Sequence, residues 1–218
     1  MDTGSGRRAL SAVEFLLGAA VVIGHNVFHV VPNEVLILFA AGLLSARLRD
    51  GSWGAFGFRR PASWGRVAAL AVGAAALRFG AGAVIEASLR RFWPPVVAPV
   101  EVDSIKGSIG TALLMLLLVW TFAAFGEEIA YRGYLTTRAA DAGGRSPLAW
   151  WAATVAVSVL FGYGHFYKGP TGIVDSAVSG LILGAAYLLS GRVLWTSVLA
   201  HGLIDTTGVV AAFLGFDL

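Results

Sequence analysis

The sequence predicts an all-α fold: a polytopic transmembrane helix bundle of about seven spans (six to eight), with a polar cavity between the later helices. Of the 218 residues, 57% are hydrophobic and 13% are charged, whereas soluble domains are about 45–50% apolar and about 25% charged. The mean hydropathy is +0.75. Apolar runs of about 20 residues, the length that crosses a bilayer as a helix, recur along the chain.

These runs predict seven helices within one integral-membrane domain of residues 1–218. The second is short, and the fourth is longer than a bilayer requires. Arg7 and Arg8 precede the first run as in a signal peptide. However, this run continues past signal-peptide length without a small-x-small cleavage site, so we expect an uncleaved span. The expected helices cover residues 10–31, 33–48, 64–86, 107–138, 147–167, 171–190 and 193–215.

The basic residues predict the orientation of the helices. Ten of them fall on the side of the amino terminus and four on the other side. Since cytoplasmic loops are enriched in Lys and Arg, we expect a cytoplasmic amino terminus and an outer carboxyl terminus, in the plasma membrane of a bacterium. The same placement explains the net charge of +3 without a nucleic-acid partner. The two groups are Arg7, Arg8, Arg47, Arg49, Arg59, Arg60, Arg66, Arg138, Arg145 and Arg192, and Arg90, Arg91, Lys106 and Lys168.

Two linkers and one pair of glycines carry further structural signals. Residues 49–66 mix aromatic side chains with arginines, which predicts a segment at the level of the lipid headgroups. Residues 90–103 are rich in proline and aromatic residues and predict the main outer loop. Gly180 and Gly184 form a small-xxx-small pair, which is typical of a close contact between helices. The chain has no cysteine, which excludes disulfides, thiolate zinc sites and a cysteine nucleophile.

The fourth apolar run contains three charged residues, Glu127, Glu128 and Arg132. Charged side chains are costly inside a bilayer and usually mark a functional protein interior. Glu128 and Arg132 are four residues apart and share a helix face, so they can pair. Glu127 points about 100° away from Glu128, so one carboxylate can be anchored while the other faces a cavity. The pattern favours a functional site over a purely structural ion pair.

Two later segments add imidazoles. His165 taken alone is more typical of a buried structural histidine. His201 and Asp205 share one face of the last run, where they can orient each other, bind one substrate oxygen or form a polar contact between helices. His25 and His29 have a spacing that can chelate a metal. No carboxylate neighbour is evident in their segment, so we expect these histidines to be structural or to lie near the outer interface.

Three motifs on separate hydrophobic segments resemble one family, the CPBP intramembrane proteases, which include type II CAAX prenyl endopeptidases and bacteriocin self-immunity proteins. The family pattern is E-E-x-x-x-R, then F-x-x-x-H, then H-x-x-x-N/D. The resemblance covers about 107–210, the expected catalytic core, and leaves 1–106 as family-variable helices. Position 205 is Asp where the prenyl endopeptidases have Asn. The motifs of this chain are Glu127-Glu128-xxx-Arg132, Phe161-xxx-His165 and His201-xxx-Asp205.

The resemblance implies an endopeptidase whose later helices enclose a water-filled cavity open to the membrane and the cytosol. Its substrate would be a peptide or a membrane protein, with or without a prenyl group. Glu127 would be the general base that activates a water, and His165 would position that water or Glu127. His201 and Asp205 would stabilise the oxyanion of the tetrahedral intermediate. The supporting residues would be Glu128, Arg132 and Phe161.

No metal or other cofactor is expected, because the H-E-x-x-H motif is absent and the glutamates precede the histidines on another helix. Zinc is the alternative, since two histidines and a carboxylate can hold it. Its ligands would then be Glu127, His165 and His201.

Two other functions stay open from the sequence. A non-enzymatic immunity or scaffold protein can bind a peptide in the same cavity. A proton-coupled transporter also uses buried Glu, His and Arg, although the chain shows no inverted repeat and no matching pair of broken helices.

A layout of straight helices places Glu127 toward the inner end of its span and separates it from His165 by about 15 Å in depth.

Overall fold

The computed structural model describes residues 3–94 and 102–216. In these parts of the chain there is no β-strand, and seven main helices form the bundle. The predicted all-α polytopic fold is therefore confirmed. The helices are α1 (Thr3–Asn26), α2 (Glu34–Ser45), α3 (Trp64–Leu89), α4 (Ile109–Ala142), α5 (Pro147–Tyr163), α6 (Gly169–Leu189) and α7 (Leu194–Leu214).

Five of these helices, all except α2 and α5, are long and apolar enough to cross a membrane. A π-helical turn, Ala46–Asp50, extends α2 at its carboxyl end. Within the predicted outer loop, residues 95–101 lie outside the described part of the chain. Shorter helical segments in the connections are Trp53–Phe56, Val102–Ile105 and Phe166–Lys168.

Serine side chains define the starts of three helices. Ser63, Ser108 and Ser146 each precede a helix and accept a hydrogen bond from a backbone N–H in its first turn. Such caps satisfy donors that have no partner within the helix. Pro147 follows Ser146 at the first turn of α5, where its missing N–H costs nothing. The local sequence thus fixes where α3, α4 and α5 begin.

The longest helix, α4, changes its winding along its length. Residues Ile109–Leu118 are α-helical, Val119–Leu135 take the wider π form, and Thr136–Ala142 return to the α form. Glu127 lies in the π-helical part, near the middle of this 34-residue helix.

Helices α5 and α6 pack closely because glycines line their contact. A Cβ atom at Gly184 would lie 2.5 Å from Cγ2 of Thr154, and one at Gly180 would lie 3.1 Å from Cα of Ser158. Real side chains do not approach this closely, so small residues are required at this crossing. The close contact predicted from the Gly180–Gly184 pair is confirmed.

The aromatic linker between α2 and α3 is only partly at the surface. Trp53 and Trp64 are exposed, as a headgroup-level segment requires, but Phe56 is fully buried. Phe58 packs its ring 5.7 Å from that of Phe125 on α4. The prediction missed that these phenylalanines anchor the linker in the protein.

One end of the bundle, called here the arginine-rich end, holds Arg8, Arg49 and Arg145 close together. At this end, Arg138 is fully buried among three carboxylates. Its guanidinium donates to Glu14 on α1 at 2.9 Å, to Asp50 on the π-helical turn at 2.6 Å and to Asp141 on α4 at 3.1 Å. Ser45 at the end of α2 accepts a further hydrogen bond of 2.7 Å. A single side chain thus joins the middle of α1 to the carboxyl ends of α2 and α4.

Replacing Arg138 with leucine should lower the stability of the protein by about 3–5 kcal/mol, because three partly buried carboxylates lose the guanidinium that they share. The measurement is thermal unfolding of the purified protein in detergent. Arg47→Leu is the matched control, since Arg47 is exposed at the same end of the bundle and contacts none of these acids. Equal melting temperatures for the two variants would contradict the prediction.

Candidate active site

The centre of the site is the carboxylate of Glu128, which is fully buried on α4. Its Oε1 accepts hydrogen bonds from Nη1 of Arg132 at 2.7 Å and from Nδ1 of His201 at 2.8 Å. Arg132 and His201 are also buried. The pairing of Glu128 with Arg132, predicted from their spacing, is confirmed. The contact with His201 adds α7 to the same interaction.

Arg132 and Phe161 connect this carboxylate to α5 and α6. Nη2 of Arg132 donates to the backbone carbonyl of Gly180 on α6 at 3.2 Å. The same guanidinium lies 4.3 Å from the ring centroid of Phe161 on α5. The Phe161 ring in turn contacts the rings of His165 and His201, with centroids 4.8 Å and 6.2 Å away. The phenylalanine of the second motif therefore packs between the two motif histidines.

His201 lies between two carboxylates. Its Nδ1 faces Glu128, while its Nε2 lies 3.4 Å from Oδ2 of Asp205. That second separation exceeds the usual range for an N–H···O hydrogen bond, so Asp205 holds this nitrogen only loosely. Nearby, Nε1 of Trp120 donates to Thr206 at 3.1 Å and fixes α7 against α4.

Glu127 lies beside this network and lines a cavity of about 260 Å³. Its Oε2 is buried and accepts no hydrogen bond from any residue that the structure describes. His201 and Asp205 are close enough for their charges to act on Glu127. The two adjacent glutamates thus have different environments: Glu128 is fixed by two partners, and Glu127 is free to meet a molecule in the cavity.

His165 lines the same cavity, in the connection between α5 and α6. Its Nδ1 lies 3.0 Å from the carbonyl oxygen of Phe161. Burial, together with the nearby ammonium group of Lys168, lowers the pKa of His165 to about 4. The ring is therefore neutral at neutral pH. Since a carbonyl can only accept, Nδ1 carries the proton and Nε2 is left as an acceptor.

Sequence reasoning missed two residues of this cavity, His25 and Glu34. Nε2 of His25 lies 3.1 Å from Oε2 of Glu34, and Nδ1 of His25 donates to the carbonyl of Val31 at 2.8 Å. The sequence segment around His25 showed no carboxylate neighbour, and the structure supplies one from Glu34 at the start of α2. A signal existed, because His25 lies toward the end of the first apolar run and Glu34 lies near the start of the second.

The sequence predicted a cavity between the later helices only. The cavity in the structure also involves the first two helices. Both α1 and α2 supply part of its wall, while α4 and the connection after α5 supply the rest. His29, four residues beyond His25, is exposed and does not line it. The lining residues that carry polar side chains are His25, Asn26, Asn33, Glu34, Glu127, Tyr131, His165 and Tyr167.

The residues expected to hold zinc do not form a ligand set. Within the described part of the chain, no group of three or more His, Cys, Asp or Glu side chains is arranged to hold a metal ion. Glu127 and His165 line the cavity, whereas His201 is engaged with Glu128.

Comparison with known proteins agrees with the three motifs. A family model described as type II CAAX prenyl endopeptidase Rce1-like matches residues 109–207, from the start of α4 into α7. No curated protein and no solved structure matches the chain. The matched segment contains all seven motif residues, and the family is one of proteases. Through this segment, which is a little under half of the chain, the protein is similar to the Rce1-like type II CAAX prenyl endopeptidases.

Proposed function

We propose that the chain is an intramembrane endopeptidase that hydrolyses a peptide bond with a water activated by Glu127. The observation that carries this proposal is the buried, unpartnered carboxylate oxygen of Glu127 on a cavity wall, beside a fixed network of Glu128, Arg132 and His201. A carboxylate removed from bulk water and held near a reacting molecule is suited to general base catalysis.

In the proposed reaction, Glu127 takes one proton from a water held in the cavity, and Nε2 of His165 accepts a hydrogen bond from the same water. The resulting hydroxide adds to the carbonyl carbon of the substrate and forms a tetrahedral intermediate. The carbon–nitrogen bond then breaks, and the proton on Glu127 passes to the leaving amine. The products are a carboxylic acid and an amine, and Glu127 is again ionised.

The oxyanion of the intermediate needs a hydrogen-bond donor, and His201 is our candidate. Because Nδ1 of His201 donates to Glu128, the ring can donate to the oxyanion only through a second proton on Nε2. This role therefore requires the doubly protonated imidazolium form of His201. The contact of 3.4 Å between Nε2 and Asp205 is long for a hydrogen bond, so a substrate oxygen can compete with Asp205 for a proton on Nε2. Glu128 and Arg132 act by positioning the ring of His201 and do not contact the substrate.

No metal is needed in this mechanism, because the carboxylate of Glu127 supplies the base. The substrate is proposed to be a peptide or membrane-protein segment, and the three motifs leave its sequence and any prenyl group undefined.

Replacing Glu127 with glutamine should abolish cleavage, with a loss of about 100-fold or more, because the amide cannot take the proton from water. The measurement compares cleaved membrane peptides in cells that express the wild type and the variant at equal levels. Glu86→Gln, at an exposed glutamate of α3, is the control and should cleave normally. A different outcome would favour an immunity or scaffold protein. In that case the wild type would cleave no peptide, and the Glu127→Gln variant would still bind its peptide partner or protect the cell as fully as the wild type.

The two adjacent glutamates should respond differently to substitution. Glu128→Ala should destabilise the protein by about 3–5 kcal/mol, because Arg132 would stay buried without a partner. Glu127→Gln should leave the melting temperature near that of the wild type, since Oε2 of Glu127 has no partner to lose among the described residues. Thermal unfolding in detergent compares the two. Equal destabilisation would refute the division of roles between them.

The side on which the cavity opens bears on the substrate. Arg8 lies near the start of α1 and His25 near its end, while Arg145 precedes α5 and His165 follows it. The cavity and the arginine-rich end thus lie at opposite ends of the same helices. With a cytoplasmic amino terminus, as the charges favour, the cavity opens to the outer side, unlike the cytosolic opening that the family resemblance implies. The proposed substrates are then peptide segments that reach the outer leaflet.

Single cysteines can test this orientation, because the chain has no cysteine of its own. Tyr167→Cys places a thiol at the cavity, where Tyr167 is exposed. Gly6→Cys places one at the arginine-rich end, where a new Cβ meets no neighbour within 4 Å. In intact cells, a membrane-impermeant maleimide should label the first variant and should label the second only after permeabilisation. The reverse pattern would place the cavity on the cytosolic side.

A further inference from the structure

A second cavity, of about 190 Å³, lies at the arginine-rich end of the bundle. It shares no lining residue with the cavity of Glu127. Three of its lining side chains are arginines, Arg59, Arg145 and Arg192, and no acidic residue lines it. Nothing in the proposed peptidase mechanism uses these residues.

A glycine makes the close approach that forms this cavity. The backbone N–H of Leu194 donates to the carbonyl of Gly57 at 3.1 Å, which docks the linker after α2 onto the turn before α7. A Cβ atom at Gly57 would lie 2.6 Å from the carbonyl oxygen of Arg192, and the φ angle of Gly57 is +94°. Only glycine fits this position. The linker and the turn that line the cavity are therefore held in a defined close contact.

The arginines of this cavity are poorly neutralised. The guanidinium of Arg192 lies 4.6 Å from the ring centroid of Trp150, and Arg59 donates to the backbone carbonyl of Gly191. Arg145 pairs with Asp141, but Asp141 also pairs with the buried Arg138. Among the described residues, Arg59 and Arg192 form no ion pair. Three guanidinium groups thus surround one cavity with an excess of positive charge.

Trp150 supplies an independent sign of a missing acceptor. Its side chain is 7% exposed and lines the cavity. Its indole Nε1–H is buried and donates to no acceptor in the part of the chain that the structure describes. Buried donors of this kind are nearly always hydrogen-bonded. An acceptor brought by a ligand would satisfy it after a small shift of the Trp150 side chain, because Nε1 itself has no exposed surface.

We infer that this cavity is a binding site for a phosphate group. Guanidinium groups bind phosphate oxygens by paired, charge-assisted hydrogen bonds, and the indole N–H adds a neutral donor. Two sources share this chemistry, the headgroup of an anionic lipid and free phosphate. Exposed Trp53 and Trp64 flank the linker at the same end of the molecule, and tryptophans of this kind are typical of the headgroup level of a membrane. Basic pockets at this depth bind anionic headgroups.

The test follows the indole signal of Trp150 in the full-length protein. The protein is labelled with ¹⁵N-tryptophan and studied in nanodiscs of phosphatidylcholine, in nanodiscs that contain phosphatidylglycerol, and in the former with added inorganic phosphate. Trp150→Phe keeps the ring but removes the N–H, and so identifies the resonance. That resonance should shift with phosphatidylglycerol if a lipid headgroup binds, and with inorganic phosphate if the free anion binds. No shift in either arm overturns the inference.

Lipid retention, measured by native mass spectrometry, distinguishes a built site from diffuse surface charge. Arg192→Gln should weaken retention of phosphatidylglycerol by about tenfold or more, the loss expected for one hydrogen bond to a charged group. Trp150→Phe should weaken retention of phosphatidylglycerol as well. It serves as a second test if the Arg192→Gln variant does not fold. Arg60→Gln removes the same charge from an exposed neighbour outside the cavity and should retain the lipid. Equal losses in Arg60→Gln and Arg192→Gln would overturn the proposal.

Discussion

The structure depends on one buried carboxylate oxygen, Oε1 of Glu128, which binds Arg132 on its own helix and His201 on α7. Inside a membrane, a charged side chain without a partner costs several kcal/mol, so α4 and α7 must assemble in the register that brings these groups together. Arg132 extends the same constraint to α6 through the carbonyl of Gly180. The interaction that holds the bundle together therefore also fixes the imidazole of the candidate active site.

Close packing makes these polar contacts possible. The glycines of α6 bring its backbone against α5, so that Phe161 reaches Arg132 and both motif histidines. A Cβ atom at Gly180 would press on the backbone of α5 at Ser158, while the carbonyl of Gly180 accepts from Arg132. Small residues thus do more than allow the helices to touch, because they set the distances within the polar network.

The two ends of the bundle differ in which charged side chains they hold and in how those charges are paired. Arg138 is fully neutralised by carboxylates from three chain segments and serves the fold. Arg59 and Arg192, nearby at the same end, keep most of their charge around a cavity. At the opposite end, Glu127 and the pair of His25 with Glu34 surround the other cavity. One bundle therefore holds an acid–base cavity and a cationic cavity at separate ends.

The sequence by itself determined the seven helices, the pairing of Glu128 with Arg132 and the three motifs that indicate the family. These features follow from hydropathy and helical spacing, which act between residues close in the chain. Only the tertiary structure decided that His201 binds Glu128, that Phe56 is buried and that His25 meets Glu34 across a turn. Such contacts depend on how helices pack and where a long helix changes its winding, and helix periodicity does not encode either.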